Sequence, residues 1–118
     1  MCMIESADGP VEMIRVGSHV ARKGHQCSEC YRDISAGERY EYDVFYFDES
    51  FHAHKTCAHC SVVRDWLQDN CGGWCFDHVK EDINEHVSYS MHAARLSVGM
   101  RRKWMRRNGR LMPIPISL

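Results

Sequence analysis

Residues 25–60 read HQCSECYRDISAGERYEYDVFYFDESFHAHKTCAHC, and the two Cys-x-x-Cys pairs that bracket this stretch decide the fold. Two residues between thiolates let both sulfurs reach one ion, because the backbone turns back in a knuckle or a first helical turn. Four thiolates then supply the closed tetrahedral shell that zinc takes in structural sites. Between the pairs, Tyr40, Tyr42, Val44 and Tyr46 alternate with Glu41, Asp43, Phe45 and Phe47, which is the period of a strand. Asp48, Glu49 and Ser50 make a polar turn, and FHAHK returns as the second strand of a hairpin.

Thr56 stands where a helix N-cap belongs. The second cysteine pair then opens CAHCSVVRDWLQDN, whose Val62–Trp66 and Val63–Leu67 pairs form an apolar stripe. Gly72 and Gly73 supply the positive φ that ends such a helix. Its N-terminus aims a dipole and free N–H groups at the cysteines, which favours thiolates. One structural zinc on Cys27, Cys30, Cys57 and Cys60 is therefore the expectation. Two readings compete with it. One is four reduced cysteines packed as small apolar groups; the other is a thioredoxin-like redox pair, whose βαβ context is missing.

The remaining cysteines and histidines point less clearly to a ligand set. Cys71, Cys75 and His78 are spaced for a second metal site, against the plainer reading of Cys71 packed at a helix end and His78 on the surface. His19 and His25 lie near enough to the first pair to compete for a ligand place. Cys2 is expected to keep a free thiol. Seven cysteines is an odd number, which argues against a fully paired secreted framework. No secretory apolar core and no apolar run near 18 residues is present, so a cytoplasmic setting without membrane contact is expected.

At 118 residues the chain has room for one small α+β domain. Residues 1–10 read as a loose start ended by Gly9-Pro10, and residues 11–20 as a strand with Ile14, Val16 and Val20 on one side. Ala36-Gly37 suits a tight turn. A second helix is expected from Asp77, with Val79, Ile83, Val87, Met91 and Ala94 close to one face and Glu81 and Asp82 at its favourable end. Gly99 weakens it, and two prolines keep the last residues extended. Residues 1–98 are thus the zinc-stapled domain and 99–118 a basic tail.

Charge follows that division. All 16 acidic residues and nine of the 15 basic ones fall within residues 1–98, for a net −7, while the rest carries +6. Arg101, Arg102, Lys103, Arg106, Arg107 and Arg110 surround Trp104. Arginines suit bidentate phosphate contacts and an indole can stack on a base, so DNA or RNA is the leading expected partner. The competing readings are a tail docked on the acidic body and a tail that grips a protein. Three tryptophans and several aromatics also permit a homo-oligomer.

The order knuckle, hairpin, helix resembles the treble-clef zinc finger. The wording ARKGHQCSECYRDISAGERYEY through TCAHCSVVRDWL resembles small zinc-binding proteins encoded by bacteriophages and prophages, over roughly residues 20–87 and more loosely at RNGRLMPIP. The resemblance implies a fold and a phage origin, and no reaction. An interaction protein that binds a host protein through its acidic body is the alternative it raises. HNH endonucleases share the treble clef, and His52, His54 and His59 with Asn70 or Asn84 invite the comparison. However, the hairpin lacks the paired DH or HH and the proline after it, and the helix lacks its histidine pair. Four thiolates leave a zinc no open place for water, so a non-enzymatic module is expected.

Overall fold

The computed structural model describes residues 12–116, without the side chains of residues 12–16 and 47. The expected loose start over residues 1–10, and Cys2, lie outside them. The described residues form a mixed α/β fold of antiparallel strands and three helices. Strand β1 (Glu12–Val20) is followed by the short pair β2 (His25–Gln26) and β3 (Asp33–Ile34). The long hairpin β4 (Arg39–Phe47) and β5 (Ser50–Cys57) comes next, then helices α1 (Ala58–Cys71), α2 (Val79–Asn84) and α3 (Met91–Arg101).

One antiparallel sheet has the order β1-β4-β5, and β2-β3 form a separate two-stranded unit. The hairpin register pairs Tyr40 with Cys57 and Phe47 with Ser50. Only Asp48 and Glu49 remain as the loop, and their φ values of 51° and 61° give the double left-handed turn that matches strand twist. Both faces of β4 find partners. Tyr40 is buried on one, while Asp43 and Phe45 are buried on the other.

Helix α1 begins one residue later than the sequence suggests. Cys57 is the N-cap, its sulfur accepting from the backbone N–H of Cys60, and Thr56 is still in the strand. Val63, Trp66 and Leu67 are buried as the stripe requires, and Gly72 closes the helix at φ 81°.

The single second helix is corrected to two. Turns follow α2, and Ser90 caps a new helix by accepting from the N–H of Ala93. A serine whose oxygen satisfies an orphan donor starts a helix more effectively than continued apolar spacing extends one. Val87 and Met91, placed on the buried stripe by that spacing, are exposed. Helix α3 runs on to Arg101, past the point where the sequence divides domain from tail. No helix among the described residues is long and apolar enough to cross a membrane.

Candidate metal centre

The β2-β3 unit folds residues 27–30 into a knuckle. Cys27 N–H donates to the Arg32 carbonyl at 2.9 Å and Tyr31 N–H to the Cys27 carbonyl at 3.0 Å. Tyr31 takes φ 64° to close the turn. The knuckle is pinned to β5 by Ser28 N–H on the Lys55 carbonyl at 2.7 Å. Lys55 N–H returns a bond to Ser28 Oγ at 3.2 Å. The first pair therefore faces the second, which lies at the start of α1.

The sulfurs of Cys27, Cys30, Cys57 and Cys60 all lie within 4.8 Å of one another, and all four residues are buried. Cys30 and Cys57 are 3.8 Å apart. Backbone N–H groups of Glu29 and Cys57 donate to Cys27 Sγ, each at 3.4 Å, and that of Cys60 to Cys57 Sγ at 3.4 Å. These donors favour thiolates.

Four unneutralised thiolates this close would repel, so the thiols share their protons unequally. Cys27 is drawn down to about 7, first by its bond with Cys30. Cys57 is also drawn down, first by Cys27. Cys30 and Cys60 are pushed up, each first through the bond to Cys27. A divalent cation would replace the shared protons. The cluster can hold a metal ion, and it is the single group of that kind among the described residues.

A second set of contacts surrounds this cluster and was not legible in the sequence. Buried Arg32 grips Glu38 with two nitrogens at 2.8 and 3.2 Å. It also reaches His59 Nδ1 at 3.2 Å. The other ring nitrogen of His59 is 2.6 Å from the Met112 carbonyl. A carbonyl only accepts, so Nε2 carries the proton and Nδ1 accepts from Arg32. Burial works against the charge of Arg32, but the bond to Glu38 and the proximity of Cys57 outweigh it and raise its pKa.

On the other side, Arg64 is buried between Asp43 and Glu29, at 3.2 Å from each carboxylate. Its guanidinium lies 4.1 Å from the centre of the Trp74 ring. Glu29 stands between the two knuckle cysteines and also accepts from Asp77 N–H at 3.1 Å. One cation thus ties the knuckle to β4, α1 and the 74–77 loop.

Trp104 is 3% exposed. Its Nε1–H donates to Cys60 Sγ at 3.3 Å, which makes its expected role as a base-stacking residue untenable, since no ring face is open. Tryptophan flanked by arginines reads alike for a core anchor and a nucleic-acid contact; the glycine at 99 was the available signal. The six cations around it, Arg101, Arg102, Lys103, Arg106, Arg107 and Arg110, are all exposed. They do not share one helical face. Arg101 ends α3, Arg102 and Lys103 form a turn, and the last three sit in a tight hairpin held by the Met105–Leu111 bridge. Met112 N–H closes the segment on the Trp104 carbonyl at 2.8 Å.

The other candidates do not join the cluster. Cys71 is disulfide-bonded, which removes its thiolate from any metal site, and Cys75 and His78 form no ligand group with it. His19 and His25 pack with tilted rings against Tyr40, at 6.1 and 5.1 Å between ring centres. His54 is buried against Phe45 and Phe76, with Nε2 3.4 Å from Asp77. His52 stacks on Phe45, its partner across the hairpin, at 5.3 Å between ring centres. His59 is engaged by Arg32 and Met112, so its contacts are not those of His52 and His54.

No protein-family model, curated protein or solved structure matches this chain.

Proposed function

We propose that the four cysteines bind one structural zinc ion in a treble-clef-like finger of phage type, and that the chain uses this centre to hold a cationic segment for contact with nucleic acid. The donor set fits zinc. A tetrahedron with Zn–S bonds near ~2.3 Å has an edge of about 3.8 Å, the separation of the Cys30 and Cys57 sulfurs. Bound by four thiolates, zinc has no open position for water and supplies folding free energy rather than catalysis.

The observation that carries this reading is the bond from Trp104 to Cys60. It fastens residues 101–112 to the metal centre while six cations around the buried indole remain exposed. None of the six makes an ion pair with a described carboxylate. A docked, charge-neutralised tail would instead place acids against them. Arginines presented on a fixed turn can meet phosphates with little loss of side-chain freedom.

The test is fluorescence anisotropy of short single- and double-stranded DNA and RNA at two salt concentrations. Deleting the tail would remove Trp104 from the core, so the comparison is a full-length variant with all six cations changed to Gln. The zinc-loaded wild type is expected to bind with a slope of log K on log salt of up to about −5, for six neutralised phosphates. The variant should lose most of that slope while keeping its zinc. Equal binding by both, or none by the intact protein, overturns the reading and points instead to a protein partner.

A further inference from the structure

The acidic body carries a wall without acid. Where β1 ends and the knuckle begins, an open cleft of about 530 Å³ is lined by His19, Val20, Arg22, Lys23, His25 and Tyr40. Five of these six carry an N–H or O–H donor, and none is a carboxylate. The loop that shapes it is fixed on both sides. Ala21 N–H donates to the Glu38 carbonyl and Gly37 N–H to the Ala21 carbonyl, each at 2.8 Å. Arg22 and Lys23 are therefore held next to one another on an ordered turn, and both are exposed.

A third cation stands behind them. Lys55 Nζ lies 3.1 Å from His25 Nδ1. An ammonium only donates, so Nδ1 accepts and Nε2 keeps the proton of a neutral imidazole. His25 is thus a polarised N–H donor beside two cations, and Tyr40 packs against its ring. Glu38, whose carbonyl holds the loop, has its carboxylate engaged by Arg32 and by Ser35 N–H at 2.6 Å. Three like charges gathered on a body of net −7, with no acid among the lining residues, give the cleft a local positive potential that attracts anions.

We propose that this cleft binds a phosphate group, with Arg22, Lys23 and His25 as its donors and Tyr40 as its wall. A guanidinium, an ammonium and a neutral imidazole N–H together suit the several oxygens of a free phosphate, and the first two suit the pair of non-bridging oxygens of a phosphodiester. The phosphate is either free or part of a nucleic-acid backbone. Only its source rests on the nucleic-acid reading above; the site itself does not. In the backbone case the cleft is a contact additional to the 101–110 cations.

The experiment follows backbone amide signals of the full-length, zinc-loaded chain by NMR. Inorganic phosphate is titrated first, against chloride at equal ionic strength, and a short oligonucleotide second. The double variant Arg22→Ala/Lys23→Ala is run beside the wild type; both side chains are exposed, so its spectrum should otherwise be unchanged. Phosphate is expected to shift signals of residues 19–25 in the wild type and to bind at least about tenfold more weakly to the variant, for two lost charged contacts. If a backbone phosphate is the ligand, the variant also lowers the oligonucleotide salt slope by about 1–2. Phosphate shifts with an unaltered oligonucleotide slope assign the site to free phosphate. Phosphate shifts with no oligonucleotide binding at all sink the nucleic-acid reading and leave the site standing. Absence of phosphate-specific shifts at 19–25, with equal oligonucleotide slopes, overturns the proposal.

Discussion

The indole of Trp104 donates its N–H to the sulfur of Cys60 at 3.3 Å, across 44 residues of sequence. Two local features permit it. Lys103 and Trp104 both take positive φ, 51° and 56°, which swings the chain back over α3. Gly99 then leaves room for the ring, since a Cβ there would lie 2.1 Å from Cζ3 of Trp104. The glycine that weakens α3 in isolation is the residue that lets the helix accept its own C-terminal cap.

Trp104→Phe keeps most of the packing and removes the donor. Metal affinity, measured by chelator competition, should fall about tenfold, as for other groups that bond to a ligand atom. Gly99→Ala should act through sterics. Helix propensity favours alanine by about 1 kcal/mol, but displacing a rigid indole from a packed site costs about 1–3 kcal/mol. A lowered thermal midpoint is the expected result, and a raised one would show that the ring moves freely.

Cys60→Ser removes a ligand and the acceptor of the indole bond together. Structural zinc binding is itself folding free energy, so the loss should be several kcal/mol. Zinc per chain, the far-UV spectrum and the thermal midpoint should fall together. A variant that keeps all three would mean that the cysteines are packed thiols and no staple.

Arg64→Met should be among the most damaging single changes away from the cysteines. It leaves Glu29 and Asp43 buried without their cation, and breaking such a group costs about 3–5 kcal/mol. Glu29 is the more exposed of the two to this loss energetically, because burial already pushes its pKa up against the pull of Arg64. The triple change Arg64→Met, Glu29→Gln, Asp43→Asn should recover much of the stability in denaturant titrations. If the single and triple variants are equally unstable, packing on Trp74 rather than charge is what Arg64 supplies.

His54 gives the fold an acid-side sensitivity. Burial, ahead of the opposing charge of Asp77 and the like charge of Arg64, lowers its pKa below the ordinary imidazole value of 6.5. Between the lowered value and 6.5 the unfolded chain binds more protons than the folded one, so stability rises with pH there. The contribution of neutral His54 is complete above 6.5 and is lost as the pH falls below it. His54→Phe should flatten the stability profile on that side while leaving the profile above pH 7 parallel to wild type, as read by urea midpoints at half-unit pH steps.

Much of the centre was legible because its determinants are short-range. Cys-x-x-Cys spacing, alternation from Tyr40 to Phe47 and the Val63–Leu67 stripe each depend on geometry within a few residues, and the chain places the four sulfurs together as that spacing requires. The N-cap at Cys57 rather than Thr56, and the break before Ser90, missed by small margins because hydrogen bonds choose a helix start among several suitable residues. Arg32, Arg64 and His59 were not legible at all. Nothing local marks a charged side chain as buried; that depends on partners 6 to 53 residues away, from Glu38 to Met112.

The sequence by itself determined the four-cysteine set, the hairpin and the charge of the last segment, because spacing, period and composition are properties of the chain. Only the tertiary structure decided that Trp104 belongs to the cysteine cluster and its neighbouring cations to the surface. An indole among arginines has the same local chemistry in either role. What separates them is the space over Gly99 and a sulfur acceptor, 44 residues earlier, brought there by the first turn of α1.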